Sequence, residues 1–225
     1  MRAHEHRCFA EQCGLAPEQI ICHNLATGCP STTALSGIDA VMVGGAGDYY
    51  VSRGDLPEFD RVIEFFAEIV TRGFPMYASC FGFHCCTVAL GGSVIHDPAR
   101  MEVGTFEITL TAAGSADPLL GVMPQRFMAQ EGHKDRVTEL PTGLTNLAGS
   151  ELGPMQAFRI PDQPIWATQF HPELTRATNL DRFHNYLAGY AAYMSAAQRE
   201  AALAQFHESP ETDRLLPRFL KLVFG

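Results

Sequence analysis

The chain has 225 residues, 46% hydrophobic and 18% charged, the balance of a folded globular protein and not of a disordered one. A formal net charge of -9 and the lack of any Lys/Arg run exclude an electrostatic nucleic-acid surface. No apolar stretch reaches the ~18 residues of a membrane span, and the opening MRAHEHRCFAEQCG has no signal-peptide core, so a cytoplasmic location is expected.

Residues 2–14 read as a helix with Cys8, Phe9 and Gln12 or Cys13 facing inward and Gly14 as its C-terminal cap. Ile20, Ile21 and Cys22 make a short apolar run that reads as a strand, and DAVMV (39–43) is a clearer one, ended by glycines. Residues 58–72 place Phe59, Val62, Ile63, Phe66, Ile69 and Val70 on one helical face, stopped by Gly73. FPMYAS follows as a buried strand, and 82–90 as a helix ending at Gly91-Gly92. This alternation of short buried strands with amphipathic helices predicts an α/β fold with a mainly parallel sheet.

From about residue 103 the pattern changes. VGTFEITLT alternates apolar and polar residues, and QRFMAQEGH, TNLAGSE, MQAFRI and IWATQF add four more short strands, so antiparallel strands extend the sheet. Residues 174–225 are expected to be mostly helical, with Leu180, Phe183, Tyr186, Leu187, Tyr190 and Met194 in one stripe. That stripe can dock on the chain's own sheet or on a second copy, which leaves a homodimer open. Ser209 reads as an N-cap with Pro210 at the first helical position, and Pro217 should kink or break that helix. No linker divides the chain. The expected organisation is one domain over 1–173 with a helical extension, 174–225, packed on it.

Seven cysteines without a signal peptide fit reduced thiols. His4, His6, Cys8, Cys13, Cys22, His23 and Cys29 crowd the N-terminal region, but no CxxC pair occurs and the spacings match no structural-zinc pattern. No metal and no cofactor are expected.

Three short segments carry chemistry. FPMYASCFGFH is a strand ending at Ser79-Cys80, followed by a glycine-containing helix start, the pattern of a nucleophile elbow. The alternative is a buried structural cysteine. IWATQFHPE ends a strand and sets His171 and Glu173 two residues apart, on one side of an extended segment, where a carboxylate can orient an imidazole. VMVGGAGDYY brings glycines after a strand, suited to presenting backbone N–H groups to an anion. It contains neither GxGxxG nor GK[ST], so a nucleotide loop is not indicated.

Together, GGAG, SCFGFH, LGGSV, EVGTFEITLT, HKDRVTELP, QAFRI and QFHPE, in this order from about Ala34 to Glu173, resemble the class I glutamine amidotransferase family. The resemblance implies a flavodoxin-like fold and a Cys-His-Glu triad of Cys80, His171 and Glu173. It implies an oxyanion hole from the backbone N–H groups of Gly45 and Phe81, and a grip on the amino-acid part of glutamine by Glu102, Val103 and Gly104. His133 and Asp135 match the family's HxD, a mainly structural pair. A small-molecule substrate is implied, with a separate synthase subunit for a partner, no nucleic acid and no membrane.

The chain departs from the family at three places. Its elbow reads CFGFH where CLGHQ is usual, so His84 replaces a glutamine that lies against the substrate, and an imidazole cannot present both amide groups. The loop GGAG lacks the usual proline. The family opens with a central strand of the type ILVID, absent here, which predicts that the natural chain begins upstream of Met1. The leading expectation is hydrolysis of the glutamine side-chain amide through a Cys80 thioester, by an enzyme without its own synthase domain. The alternatives are a γ-glutamyl peptidase with the same triad and a degenerate regulatory module.

Overall fold

The computed structural model describes residues 1–225. Helix α1 (Arg2–Cys13) buries Cys8, Phe9, Ala10 and Cys13 and is closed by Gly14 at φ 66, the left-handed cap that glycine adopts without penalty. Three short 3-10 segments then lead to Gly37, with no strand among them. The expected strand at Ile20–Cys22 is not formed, and Ile21 is exposed. A three-residue apolar run with no neighbouring ladder has too few backbone bonds to hold it in a sheet.

Strand β1 (Val41–Val43), helix α2 (Phe59–Thr71), strand β2 (Met76–Ser79), helix α3 (Phe81–Ala89) and strand β3 (Ser93–His96) follow. Strand β4 (Glu102–Leu110), helix α4 (Ala112–Ala116), and strands β5 (Arg126–His133), β6 (Asp135–Glu139), β7 (Asn146–Gly149), β8 (Ala157–Arg159) and β9 (Ile165–Thr168) form the second half. Helices α5 (Arg176–Asn185), α6 (Leu187–Ala191), α7 (Ala196–Leu203) and α8 (Leu215–Phe224) complete the chain.

The main sheet runs β1-β2-β9-β8-β7-β4-β5. Its β1–β2 and β2–β9 pairings are parallel and the others antiparallel. The expected open α/β architecture is therefore present, with a parallel part of three strands and a larger antiparallel extension. No strand lies between Arg2 and Ala40, so β1 is an edge, with the Cys13 thiol of α1 against Met42 Sδ at 3.5 Å. A second sheet pairs β3 with β6 and is not legible in the sequence, because its Arg136 and His96 break the apolar alternation.

The period of two along each central strand splits the core. Met76, Ala78, Ile165 and Ala167 face α2 and α3, whereas Tyr77 and Trp166 face α1 and α8. On that second side Phe219 of α8 meets Tyr77 edge-on at 5.7 Å and Trp166 at 6.0 Å.

The C-terminal stripe does not stay on one helix. The chain breaks at Tyr186, Leu187 is exposed, and Phe183, Tyr190 and Met194 pack with Val103 of β4. Nor does Ser209 cap α8: its carbonyl takes the Thr212 N–H (3.1 Å), and α8 begins only at Leu215. Pro217 consequently sits in the first turn, where its missing N–H has no helical partner to lose, and it breaks nothing.

Candidate active site

Adjacent parallel strands β2 and β9 end together, with Ser79 opposite Thr168. Cys80 is the next residue after β2, and His171 leaves β9 three residues past its end. Both therefore emerge at the carboxyl edge of the sheet, where open α/β sheets form their ligand sites. The Cys80 N–H donates to Thr168 O (2.8 Å), which locks the elbow to β9. Cys80 has φ 50 and ψ −100, a left-handed strain that β-carbon-bearing residues seldom hold, and α3 begins immediately after it. Gly82 lets α3 lie close on the sheet, since a β-carbon there would meet Val43 at 2.9 Å and Ala78 at 3.0 Å.

His171 and Glu173 are almost fully buried, and His171 Nδ1–H donates to Glu173 Oε1 at 2.6 Å. Ser79 Oγ–H donates to the same oxygen at 3.1 Å. The His171 Nε2 atom has no protein partner, so the imidazole is held in the tautomer whose Nε2 lone pair is free. Burial lowers the His171 pKa, with Arg182 adding to that and Glu173 opposing it. Burial would raise Glu173, but the His171 interaction and Arg182 outweigh it and keep the carboxylate ionised. Burial pushes the Cys80 thiol up to about 12, with Arg182 pulling it down. The resting pair is therefore neutral thiol and neutral imidazole, without a hydrogen bond between them.

Gly45 lines the cavity in front of Cys80, as do Phe81 and His84. A β-carbon on Gly45 would collide with the Arg182 guanidinium and approach His171 Cε1 at 3.1 Å. The Phe81 N–H, first in α3, is free of helical bonding. Arg182 over Gly45 and Tyr186 over Gly47 close this side, leaving a cavity of about 40 Å³. One water needs roughly 10–15 Å³, so the narrow cavity has free room for a few waters beside its lining side chains.

The residues expected to grip the amino-acid end sit apart from this cavity. Glu102, Val103 and Gly104 do not line the cavity. Glu102 is buried and bonded to Gln156 Nε2 (2.7 Å) and His133 Nε2 (3.0 Å), Val103 packs under the tail, and Gly104 abuts Gln205. These contacts give them a structural role, because β4 lies beneath α5 and α7. His84 does line the cavity, but its Nε2–H donates to Gln169 Oε1 (2.7 Å), and burial lowers its pKa to about 4, keeping it neutral. His133 donates through Nδ1 to Asp135 O (2.8 Å). Donor atoms of Glu102, Glu131 and His133 lie within 4.8 Å of one another and could hold a cation. Without a cation, burial raises the Glu131 carboxyl well above its usual range, and neither of its oxygens has a hydrogen-bond partner. Lys134 and Arg182 enter the site unannounced by sequence, as does the Ser79 bond to Glu173, because each depends on the pairing of distant segments.

The class-I glutamine amidotransferase family model matches residues 23–185 of this chain, more than half of it. The chain belongs to that family. The amidotransferase resembles a glutamine-hydrolysing GMP synthase subunit of Methanoculleus marisnigri, 31% identical over 107 residues, covering 48% of this chain and 56% of that protein. It is 32% identical over 161 residues to the GMP synthase of Corynebacterium glutamicum, covering 70% of this chain and 28% of that protein. The chain thus spans between about a quarter and about half of these relatives. Among solved structures, a glutamine amidotransferase from Thermotoga maritima superposes with a TM-score of 0.63 at 20% identity, over 85% of this chain and 80% of that one. One from Methylobacillus flagellatus gives 0.64 at 18%, over 86% and 80%. At such identities the likeness is one of fold. No helix of the amidotransferase is long and apolar enough to cross a membrane.

Proposed function

We propose that this protein hydrolyses the side-chain amide of glutamine through Cys80, with His171 as base and acid and Glu173 as its orienting carboxylate. The observation that carries the reading is the His171–Glu173 bond at 2.6 Å, which leaves Nε2 free at the same carboxyl edge of the sheet as the strained Cys80 elbow. His171 Nε2 takes the thiol proton as sulfur adds to the amide carbon. The oxyanion is received by the N–H groups of Gly45 and Phe81, each donor of this kind supporting roughly 3–4 kcal/mol of the barrier. His171 then returns the proton to the departing nitrogen, ammonia leaves, and a thioester remains. Water, deprotonated by His171, cleaves the thioester to glutamate and restores the thiol. The ammonia passes to a separate synthase subunit.

The test is ammonia release from L-glutamine by the wild-type protein, alone and with a synthase partner, beside Cys80→Ala. Labelling by a diazo-ketone glutamine analogue should add one mass increment on Cys80. No label and no ammonia under either condition overturn the reading.

A further inference from the structure

Next to the Cys80 cavity a buried cluster holds more lone pairs than donors. Glu102, Glu131 and His133 come together through strand register. Glu102 stands directly opposite His133 in the β4–β5 ladder, and Glu131 lies two residues before His133, on the same face. Opposite Glu131 is Gly104, which has no side chain to meet it. Glu102 and Glu131 are 0% exposed and His133 is 3% exposed. One ligand atom from each lies within 4.8 Å of the other two.

The hydrogen bonds fix which atoms face one another. His133 Nδ1 is 2.8 Å from Asp135 O, and a carbonyl only accepts, so Nδ1 carries the ring proton. The neutral ring therefore turns its Nε2 lone pair toward Glu102 Oε2 at 3.0 Å and Glu131 Oε2 at 3.5 Å. Three electron-rich atoms at such spacing need a cation among them. A proton bridges one pair, Nε2 and Glu102 Oε2, and leaves Glu102 Oε1 and both Glu131 oxygens without a partner. An unpartnered carboxylate is among the least favourable groups to bury. A divalent ion engages all three residues at once, and its two charges match the two carboxylates.

The surroundings suit a metal shell. An Nδ1–H bond to a backbone carbonyl is the usual outer contact of a metal-bound histidine, and Gln156 Nε2–H steadies Glu102 Oε2 at 2.7 Å. The spacings of 3.0 and 3.5 Å bracket the edge of roughly 3.3 Å between ligands of a tetrahedral zinc with bonds of about 2.0–2.1 Å. An imidazole in the set favours a transition ion over Mg²⁺ or Ca²⁺, which take oxygen shells. The set matches no linear zinc pattern because Glu102 joins Glu131 and His133 only across the ladder.

We propose that Glu102, Glu131 and His133 bind a divalent transition ion of the zinc class, a structural site that pins β4 to β5. The site takes no part in the Cys80 chemistry and stands whether or not glutamine is the substrate. His133 also lines the Cys80 cavity, so the ion braces one of its walls.

The test is zinc binding read by thermal unfolding, which needs no turnover. The Cys80→Ala protein, which lacks the cavity thiol as a competing ligand, is stripped with dipicolinate, checked by elemental analysis and titrated with Zn²⁺. One equivalent should bind, and a hundredfold excess over Kd should raise the thermal midpoint by about 5–10 °C. Glu131→Gln in the same background should bind a hundredfold or more weakly and lose nearly all of that shift at the same zinc concentration. Stripped of metal, it should nevertheless unfold no earlier than the stripped parent, because it buries no unpaired charge. Co²⁺ in the Cys80→Ala protein should give visible ligand-field bands without a near-ultraviolet thiolate-to-metal band, which separates this site from the remaining cysteines. No binding at micromolar free zinc, a thiolate band, or a full shift in Glu131→Gln overturns the proposal. So does a stripped Glu131→Gln protein that unfolds well below its parent or fails to fold, since protein contacts alone would then hold the carboxylate.

Discussion

Arg182 Nη1 lies 3.4 Å from Glu5 Oε1, so the first helix of the chain and the helix after the triad meet over the cavity. The Glu5 carboxylate packs on Gly44 and the guanidinium on Gly45, the glycine whose N–H is assigned to the oxyanion. Glu5 therefore holds Arg182 where it narrows access to Cys80. Glu5→Ala should free the guanidinium and raise the rate of Cys80 alkylation by iodoacetamide severalfold at fixed pH. The same change should cost about 1–3 kcal/mol of stability, as expected for a pair between surface and interior. An unchanged alkylation rate would mean that Arg182 is held by Glu173 and packing alone.

Ser79 shares an oxygen with the triad. Glu173 Oε1 accepts from both His171 Nδ1 and Ser79 Oγ, at 2.6 and 3.1 Å, inside a site with almost no solvent. Removing the hydroxyl leaves the carboxylate with one fewer donor and more rotational freedom. Ser79→Ala should lower kcat about tenfold, a rise of about 1.4 kcal/mol in the barrier, with little change in KM. Steady-state kinetics separate the two; a pure KM effect would assign Ser79 to substrate binding.

The central parallel strands and the elbow are legible in the sequence because buried strands are short apolar runs and an elbow needs a small residue, a nucleophile and a glycine in succession. His171 and Glu173 are legible because their pairing is local, two residues apart on one strand end. Long-range partners are not. Nothing near Arg182 in the chain points to Glu5, and Lys134 reads as an ordinary charged residue until the loop after β1 and the tail place three tyrosines around it. Glu102, Val103 and Gly104 escape a local reading for the same reason, since their strand is covered by a tail whose docking no local pattern specifies. Pro217 reads as a breaker only because the start of its helix depends on the turn before it.

Cys80 should be a slow nucleophile at rest. Its thiol is pushed up to about 12 by burial, so at neutral pH only a small fraction is thiolate. Below that pKa the thiolate fraction grows about tenfold per pH unit, and iodoacetamide labelling should rise with that slope from pH 7 to 9. Turnover should behave differently, because there His171 Nε2 takes the proton as sulfur attacks. Its lowered pKa puts the acid limb of kcat/KM below the ordinary histidine value of 6.5, with a plateau at neutral pH. Alkylation that is already maximal at pH 7 would indicate a preformed thiolate–imidazolium pair.

The elbow's backbone strain can be read directly in stability. Cys80 at φ 50 carries a cost of about 1–3 kcal/mol for a residue with a β-carbon. Glycine escapes that cost, against the roughly 0.5–1 kcal/mol it usually loses to alanine in chain entropy. Cys80→Gly should therefore match or exceed Cys80→Ala in urea midpoint, by up to about 1 kcal/mol, while both are inactive. A glycine variant clearly less stable than the alanine one would show that the elbow is not strained in solution.

His84 ties specificity to acid stability. Its folded pKa, about 4, lies below the unfolded value of 6.5, so the unfolded chain binds the proton first as pH falls. The contribution is fully present above 6.5 and is lost progressively down to about 4. At about 1.4 kcal/mol per pH unit, that interval amounts to about 3 kcal/mol, with His171 adding in the same direction. His84→Gln removes the titrating group and keeps an amide to bond Gln169, so the fall in urea midpoint between pH 7 and pH 5 should shrink. The same variant restores the side chain that the family places against the substrate, and should raise kcat/KM on glutamine relative to γ-glutamylglycine. An unaltered acid slope together with an unaltered substrate ratio would place His84 outside both roles.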